Sequence, residues 1–351
     1  MVDRVAGSLL GGAIGDALGA PIEFTSLREI RERFGPAGIT DFAPAYGRRG
    51  AITDDTQMAL FTADGLLRAE ASRRAGLPGD DVTAVHQAYL RWLLTQRDAS
   101  QHRTFPAATR RENLGWLYRQ KEIRSVRAPG TTCIASLRGE TIGSPERPVN
   151  ASKGCGGLMR IAPVGLFVAD PRDAFELGCR IAAITHGHPS GFLAAGVLAS
   201  LIASLASGLA LETSLDGAFA LLRERPSHGE CAGALQKALR AFAEREPVPE
   251  TVEWLGAGWV AEEALAIGVY AALAARGEFE RGVLLAVNHG GDSDSTGAVA
   301  GNILGTIVGK EGIPARYLES LELGGAIEEV ARDLALRYRD GAEWAARYPT
   351  G

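Results

Sequence analysis

Cysteine is scarce and scattered. Cys133, Cys155, Cys179 and Cys231 are the four in the chain, with no Cys-x-x-Cys pair and no His-x-x-x-His to complete a tetrahedral set. This argues against a structural zinc site and a secreted disulfide scaffold. Alternating β-branched runs bounded by turns are nearly absent, which leaves little material for a sheet. There is no internal repeat, and no stretch rich in Pro, Gly or Ser long enough to separate two domains. A net charge of -5 withholds the basic surface that wholesale binding to nucleic acid or an anionic membrane needs, so neither is expected as a stable partner. The N-terminal run MVDRVAGSLLGGAIGDALGA carries Asp3, Arg4 and Asp16 where a signal peptide has an unbroken apolar centre. Residues 191–210, GFLAAGVLASLIASLASGLA, are uncharged over a length that could span a bilayer. They are rich in Ala, Ser and Gly, with no Trp, Tyr, Lys or Arg at either end, and read as the central helix of a bundle. A cytoplasmic protein is expected.

With 46% hydrophobic residues in 351, the chain can bury a sizeable core. Apolar residues recur at three- and four-residue spacing in RVAGSLLGGAIGDALGAPIEF, DTQMALFTADGLLRAE, VTAVHQAYLRWLLTQ, GLMRIAPVGLFV, AFELGCRIAAIT and VEWLGAGWVAEEALAIGVYAAL. The expected fold is all-α, a many-helix orthogonal bundle forming one domain over residues 1–351. Glycine recurs every fourth residue at 7, 11, 15 and 19 and again at 297, 301, 305 and 309. Each helical glycine costs up to about 1 kcal/mol relative to Ala, which close approach of another backbone can offset. The least regular segment, 97–130, is rich in Arg and Lys and reads as a basic surface excursion or a lid.

Two segments place acids at helix entrances. ITDDTQMAL sets Thr53, Asp54, Asp55 and Thr56 before one apolar-periodic helix; GGDSDSTGAVAG sets Asp292, Asp294, Ser295 and Thr296 before another. A third segment, GDALGAPIEF, closes the first helix with Pro21 and then Glu23. Asp, Ser and Thr cap helix N-termini, and their acids complement the macrodipole. One carboxylate suffices for a cap; two per entrance, each beside a hydroxyl, exceed it. If the entrances meet, four aspartates share one site, and like charges 4 Å apart repel by roughly 4 kcal/mol per pair at an effective dielectric of 20. Neither motif contains Lys or Arg. The remedy is protonation or a hard divalent cation with oxygen ligands, Mg²⁺ or Mn²⁺. Spacing along the chain does not establish that the entrances meet.

Other acid-site patterns do not fit. Asp54-Asp55 is followed by Thr56, Gln57 and Met58 and so fails to complete DDxxD, and the chain has no His-Asp dipeptide. SKGCGGLMRIAP places Ser152, Lys153, Gly154, Cys155, Gly156 and Gly157 before a helix, where successive backbone N–H groups can cradle a pyrophosphate. No GxxxxGKS or GxxxxGKT motif of the ATP type is present.

The stretches GDALGAPIEF, TDDTQMAL, RAPGTTCIASL, KGCGGLMRIAPVGL, ITHGHPSG and NHGGDSDSTGAVAGNILG occur in the order found in the ADP-ribosylglycohydrolase family, which includes the dinitrogenase reductase-activating glycohydrolases. The chain resembles that family from about residue 5 to residue 310. The resemblance implies an all-α fold with a binuclear Mg²⁺ or Mn²⁺ centre between helix N-termini, and cleavage of the N- or O-glycosidic bond joining ADP-ribose to an acceptor. Motif by motif it implies Thr53, Asp54 and Asp55 as metal ligands from one entrance, and Asp292, Asp294 and Ser295 from the other. Glu23, Asp55 and Asp292 take catalytic roles; Ser152, Lys153, Gly154, Cys155, Gly156 and Gly157 hold the diphosphate and its ribose; His186 faces the adenosine half. Relatives often carry Thr in place of Ser295, which keeps a hydroxyl and leaves Thr296 as an alternative donor. They commonly carry Asn in place of Cys155, which has no general base beside it to make it a nucleophile. His188 reads as structural and His289 as a supporting residue.

The implied activity is release of ADP-ribose from a modified acceptor, an arginine or serine side chain of a protein, with two Mg²⁺ (or Mn²⁺) as cofactors. The implied partners are ADP-ribose and ADP-ribosylated proteins. Two other readings stand beside it. One is a non-catalytic or antidote-type binder of ADP-ribosylated proteins or of an ADP-ribosyltransferase toxin, touching its partner through the basic excursion. The other is a metal-dependent hydrolase of a different nucleotide-sugar substrate.

Overall fold

The computed structural model describes residues 1–97 and 105–350. Within these, the helices are α1 (Val2–Gly19), α2 (Leu27–Phe34), α3 (Asp54–Arg74), α4 (Asp81–Thr95), α5 (Gly115–Arg119), α6 (Thr131–Arg138), α7 (Ala162–Phe167), α8 (Pro171–Ala183) and α9 (Pro189–Ala206). They continue as α10 (Leu211–Arg223), α11 (Gly229–Glu244), α12 (Pro249–Leu255), α13 (Ala261–Ala275), α14 (Phe279–Val287), α15 (Ser293–Val308), α16 (Ala315–Ser320), α17 (Gly324–Leu336) and α18 (Ala342–Arg347). The only sheet among the described residues is a short antiparallel ribbon, Pro44–Ala45 with Arg48–Arg49. The all-α expectation holds. Among the described residues, helix α9 alone is long and apolar enough to cross a membrane, but 83% of it is buried, packed against α7, α8, α10 and α13. It is the core helix its composition suggested.

Two of the periodic segments are not single helices. GLMRIAPVGLFV turns first as a 3-10 turn at Cys155–Gly157 and becomes helical only at Ala162, with Pro163 in the first turn where its missing N–H is harmless. VEWLGAGWVAEEALAIGVYAAL breaks after Leu255, because Gly256 and Gly258 take positive φ of 152° and 82°. The five residues between α12 and α13 form a hinge whose carbonyls serve the site described below. Helical spacing of the apolar residues on either side hid that break.

The closest packing in the molecule joins α1 to α15. The glycines face one another in antiparallel order: Gly7 against Gly305, Gly11 against Gly301 and Gly15 against Gly297. A Cβ at any of these positions would collide with the backbone carbonyl of its opposite number. Asn302 locks the register, donating from Nδ2 to the Ser8 carbonyl at 2.8 Å while Ser8 Oγ donates to the Asn302 carbonyl at 3.2 Å. The seam ends with Gly19 against the backbone of Ser293 and Asp294, so the exit of α1 lies on the entrance of α15.

The basic excursion is only partly a surface feature; residues 98–104 of it lie outside the described residues. Beyond them, Ala108, Leu117 and Ile123 are buried, and Gln57 of α3 donates to the carbonyls of Ile123 and Ser125 at 3.2 and 2.9 Å. Arg68 of α3 also donates to the Asn113 and Leu114 carbonyls. The segment is therefore anchored to α3, the helix capped by Thr53.

Because the obstructing atoms are backbone, Gly15→Val should destabilise the fold by about 3 kcal/mol or more in urea unfolding. Gly233→Ala, on the open face of α11 where nothing lies near the added carbon, should be neutral or stabilise by up to about 1 kcal/mol.

Candidate active site

The two acidic entrances meet. At α3, Thr53 is the N-cap and its Oγ1 accepts from the Asp55 amide at 3.3 Å. A fully buried carboxylate from α1, Asp16, does more of the capping: it accepts from the Thr53 amide at 3.0 Å, from the Thr56 amide at 3.2 Å and from the Thr56 hydroxyl. With those orphan donors satisfied, Asp54 and Asp55 are released toward the cleft. Asp54 Oδ2 accepts from the Gly130 amide at 3.1 Å, and its own amide donates to the Arg127 carbonyl. Arg127 is pinned by buried Glu322, which also receives the Ile52 amide.

At α15, Asp292 occupies the N-cap position but makes no capping bond with its side chain. Its amide donates to the hinge carbonyl of Ala257 at 2.8 Å, and its Oδ2 receives the Cys155 thiol at 2.7 Å. Ser295 Oγ donates to Cys155 Sγ at 3.4 Å, and Asp294 Oδ1 accepts from the Ser295 amide at 3.0 Å. Thr53 faces the Asp294 carboxylate from the other entrance. Glu23, carried there by the exit of α1, brings a carboxylate oxygen to within 4.8 Å of oxygens of Asp292 and Asp294.

The result is a cleft of about 360 Å³ lined by Glu23, Asp54, Asp55, Asp292, Asp294 and Ser295, together with Gly154, Cys155, Gly156 and His186. Other expected residues stand back from it. Thr53 is fully buried beneath it, where it caps α3 while its hydroxyl faces the Asp55 and Asp294 carboxylates. Lys153 is drawn outward by Glu262 at 2.6 Å and Glu230 at 3.0 Å, so its ammonium does not border the cleft. Ser152 Oγ takes up the Gly154 amide and meets Thr132, and the Cys155 amide bonds the hinge carbonyl of Trp259. Two amides of the supposed phosphate cradle are thus already used. Gly157 is buried against the His186 ring. Thr296 bonds His289 and helix carbonyls, which leaves Ser295 as the hydroxyl at the cleft. His188 caps α9 through the Ser190 amide.

Electrostatics follow from crowding carboxylates where water is scarce. Burial, and then the charge of Asp294, lifts Asp16 to about 7. Glu23 is pushed up to about 10 by burial and then by Asp294, Asp292, Asp54 and Asp16. Burial drives Asp54, Asp55 and Asp292 well above the ordinary carboxylate range and raises Asp294 too. The Cys155 thiol is likewise raised, by burial and then by Asp292, so it stays protonated. Buried His186 and His289 are held down to about 3 and about 4, and are neutral. Among the described residues, no Lys or Arg lines the cleft. Asp55 Oδ1 is buried without a hydrogen-bond partner. An all-oxygen, strongly acidic donor set with an orphaned carboxylate oxygen fits a hard divalent cation.

Three features were missed in the sequence. Asp16 interrupts an apolar run in the sequence, and a lone acid on an otherwise apolar helix is itself a sign of a buried role. Phe24 and Trp259 flank the cleft mouth with rings stacked at 5.0 Å and 20°, yet remain 73% and 39% exposed. Phe24 holds a left-handed φ of 64°, a costly conformation for an aromatic residue, at the turn that follows Glu23. The paired glycines at 256 and 258 were the available signal for Trp259.

An all-α bundle with an acid-lined cleft at facing helix entrances defines the class of protein, and comparison with known proteins gives the family. The chain belongs to the ADP-ribosylglycohydrolase family, whose model matches residues 1–343. It is 26% identical to the ADP-ribosyl-[dinitrogen reductase] glycohydrolase of Rhodospirillum rubrum, over 92% of this chain and 91% of that one. It is 26% identical to the ADP-ribosylarginine hydrolase Tri1 of Pseudomonas putida, over 95% and 78% of the respective chains. The ADP-ribosylhydrolase ARH3 of Bos taurus is 24% identical over 92% and 89%. A solved structure titled ADP-ribosylglycohydrolase-related protein complex superposes with a TM-score of 0.62 at 29% identity, covering 96% of this chain and 98% of that one. The chain is accordingly a hydrolase of glycosyl bonds.

The raised carboxylates set a pH dependence for the chelated protein. Asp16 has a folded pKa of about 7 against an ordinary 3.8, so the folded state holds a proton that the unfolded chain gives up. That stabilisation is complete below about pH 4 and lost as pH rises through about 7. Measured by Tm in EDTA, stability should fall over this range, and the gain on adding Mg²⁺ should grow with pH as cations replace protons. A Mg²⁺ effect independent of pH would contradict a carboxylate cation site.

Proposed function

We propose that this protein is a Mg²⁺- or Mn²⁺-dependent ADP-ribosyl hydrolase that releases ADP-ribose from an arginine or serine side chain of a modified protein. The observation that carries the reading is the convergence of two buried acidic helix entrances and Glu23 on one cleft, with no Lys or Arg among the described residues lining it. Family membership and relatives named as ADP-ribosyl hydrolases support the reaction class.

Asp54, Asp55 and the Thr53 hydroxyl would hold cations from α3, and Asp292, Asp294 and Ser295 from α15. When bound, two such cations would supply positive charge and Lewis acidity toward ribose hydroxyls and water. The rest falls to the chain's own groups. Hydrolysis breaks the bond between the anomeric carbon and the acceptor nitrogen or oxygen and joins that carbon to a water oxygen. One proton must leave the water and one must reach the leaving group. Glu23, half-buried at the cleft, or buried Asp55 moves that proton, the crowding of carboxylates raising the proton affinity of each. The protonated Cys155 thiol, hydrogen-bonded to Asp292, holds that carboxylate in place instead of attacking. The glycine loop and His186 would face the ADP portion, and the exposed Phe24 and Trp259 rings the acceptor side. We take residues 1–351 to act as one cytoplasmic domain, with the 97–130 segment as the lid or contact arm for a modified protein.

The deciding experiment incubates the protein and Mg²⁺ with arginine- and serine-linked ADP-ribosyl peptides and follows free ADP-ribose. Chelation should stop release. Asp292→Asn should lower it by at least about a hundredfold with an unchanged helical circular dichroism spectrum. Wild-type release by that variant would overturn the metal-site assignment, and binding of the peptides without release would favour the antidote-type binder.

A further inference from the structure

Under the cleft lies a buried cation with no carboxylate partner among the described residues. Arg160 is fully buried, with its guanidinium 4.2 Å from the Tyr89 ring centroid. Nη1 points to the sulfurs of Met58 and Cys133, each at 3.5 Å, and Nη2 donates to Thr185 Oγ1 at 2.7 Å. A buried guanidinium is costly, so the place where its one strong hydrogen bond goes is informative. Thr185 Oγ1 in turn stands 2.8 Å from His186 Nδ1.

The proton assignment follows from what each group can do. A guanidinium only donates, so the Thr185 oxygen accepts from Arg160 and keeps one proton of its own to give. Two acceptors compete for it: Cys133 sulfur, which is weak and already faces Arg160, and the basic lone pair of His186 Nδ1. The imidazole is the stronger acceptor. With Nδ1 accepting, the single ring proton sits on Nε2.

That nitrogen is at the working edge of the ring. His186 lines the cleft, and a Cβ on Gly156 would stand 3.0 Å from Cε1 and 3.3 Å from Nε2, while one on Gly154 would be 3.5 Å from Nε2. Glycine in this loop thus leaves the ring edge uncovered. Among the described residues Nε2 has no hydrogen-bond partner, so its proton is available to a ligand. Burial and the nearby Arg160 charge also keep the ring from taking a second proton.

We propose that Arg160 and Thr185 are positioning residues that fix His186 as its Nε2–H tautomer, so that the ring offers a standing hydrogen-bond donor to an acceptor atom of the nucleotide in the cleft. The identity of that nucleotide rests on the ADP-ribose reading above; the tautomer does not.

The test is ¹⁵N NMR of histidine-labelled protein, with the His186 signals assigned by their loss in His186→Gln. Wild type should show Nε2 protonated and Nδ1 as a bare acceptor. Thr185→Val should lose that preference and bind ADP-ribose about tenfold more weakly, as expected for one hydrogen bond, and Thr185→Ser should restore both. A wild-type Nδ1–H tautomer overturns the proposal, as does a Thr185→Val protein with the wild-type tautomer. If Thr185→Val does not fold, the wild-type spectrum decides alone. If the tautomers behave as stated but wild type does not bind ADP-ribose, the positioning chain stands and the functional reading falls.

Discussion

The backbone-to-backbone contact of α1 with α15 is the constraint on which the site depends. Glycines on both faces let each helix press its carbonyls against the other, which no side chain would permit. Glycine is a poor helix former, and such a contact persists only because burial and dispersion over a long seam exceed the propensity cost. Its geometric product is a fixed register. Glu23 at the exit of α1 and Asp292 and Asp294 at the entrance of α15 come to one point because the seam terminates there. From the same helix Asp16 reaches across to cap α3 and so brings the second acidic entrance to the first. One tight helix pair thereby sets the position of three chain segments far apart in sequence.

The charge arrangement at that point runs against what the protein does elsewhere with buried acids. Asp64, buried in α3, is held by Arg68 and Arg91, each at 2.8 Å. Glu322 is held by Arg127 and Arg48. In the cleft the acids face, among the described residues, only each other, hydroxyls, amides and one thiol. Burial of carboxylates without cationic partners is destabilising unless a proton or a metal ion intervenes. Such sites are characteristic of function more than of stability.

The wall opposite the acids is built with similar economy of charge. The only lysine of the glycine loop is turned outward to Glu230 and Glu262, and the loop's amides are partly used by the hinge between α12 and α13. What lines that wall is a neutral surface: the glycine backbone, the edge of His186 and, at the mouth, the stacked rings of Phe24 and Trp259.

The sequence by itself determined the helical class, the two acidic entrances and the glycine periodicity, because each is a local pattern of three to four residues that physics reads directly. Its ordered motifs were also enough to suggest the family. Only the tertiary structure decided which residues meet. The hinge at Gly256–Gly258 lay inside an unbroken apolar period, and backbone conformation, not hydrophobicity, interrupts it. Lys153 left the site through carboxylates 77 and 109 residues away. Asp16 became a cap for a helix 37 residues further on. The Arg160–Thr185–His186 chain depends on side-chain directions that spacing does not encode. A short motif fixes the chemistry of its own residues, whereas partners across the fold are chosen by packing.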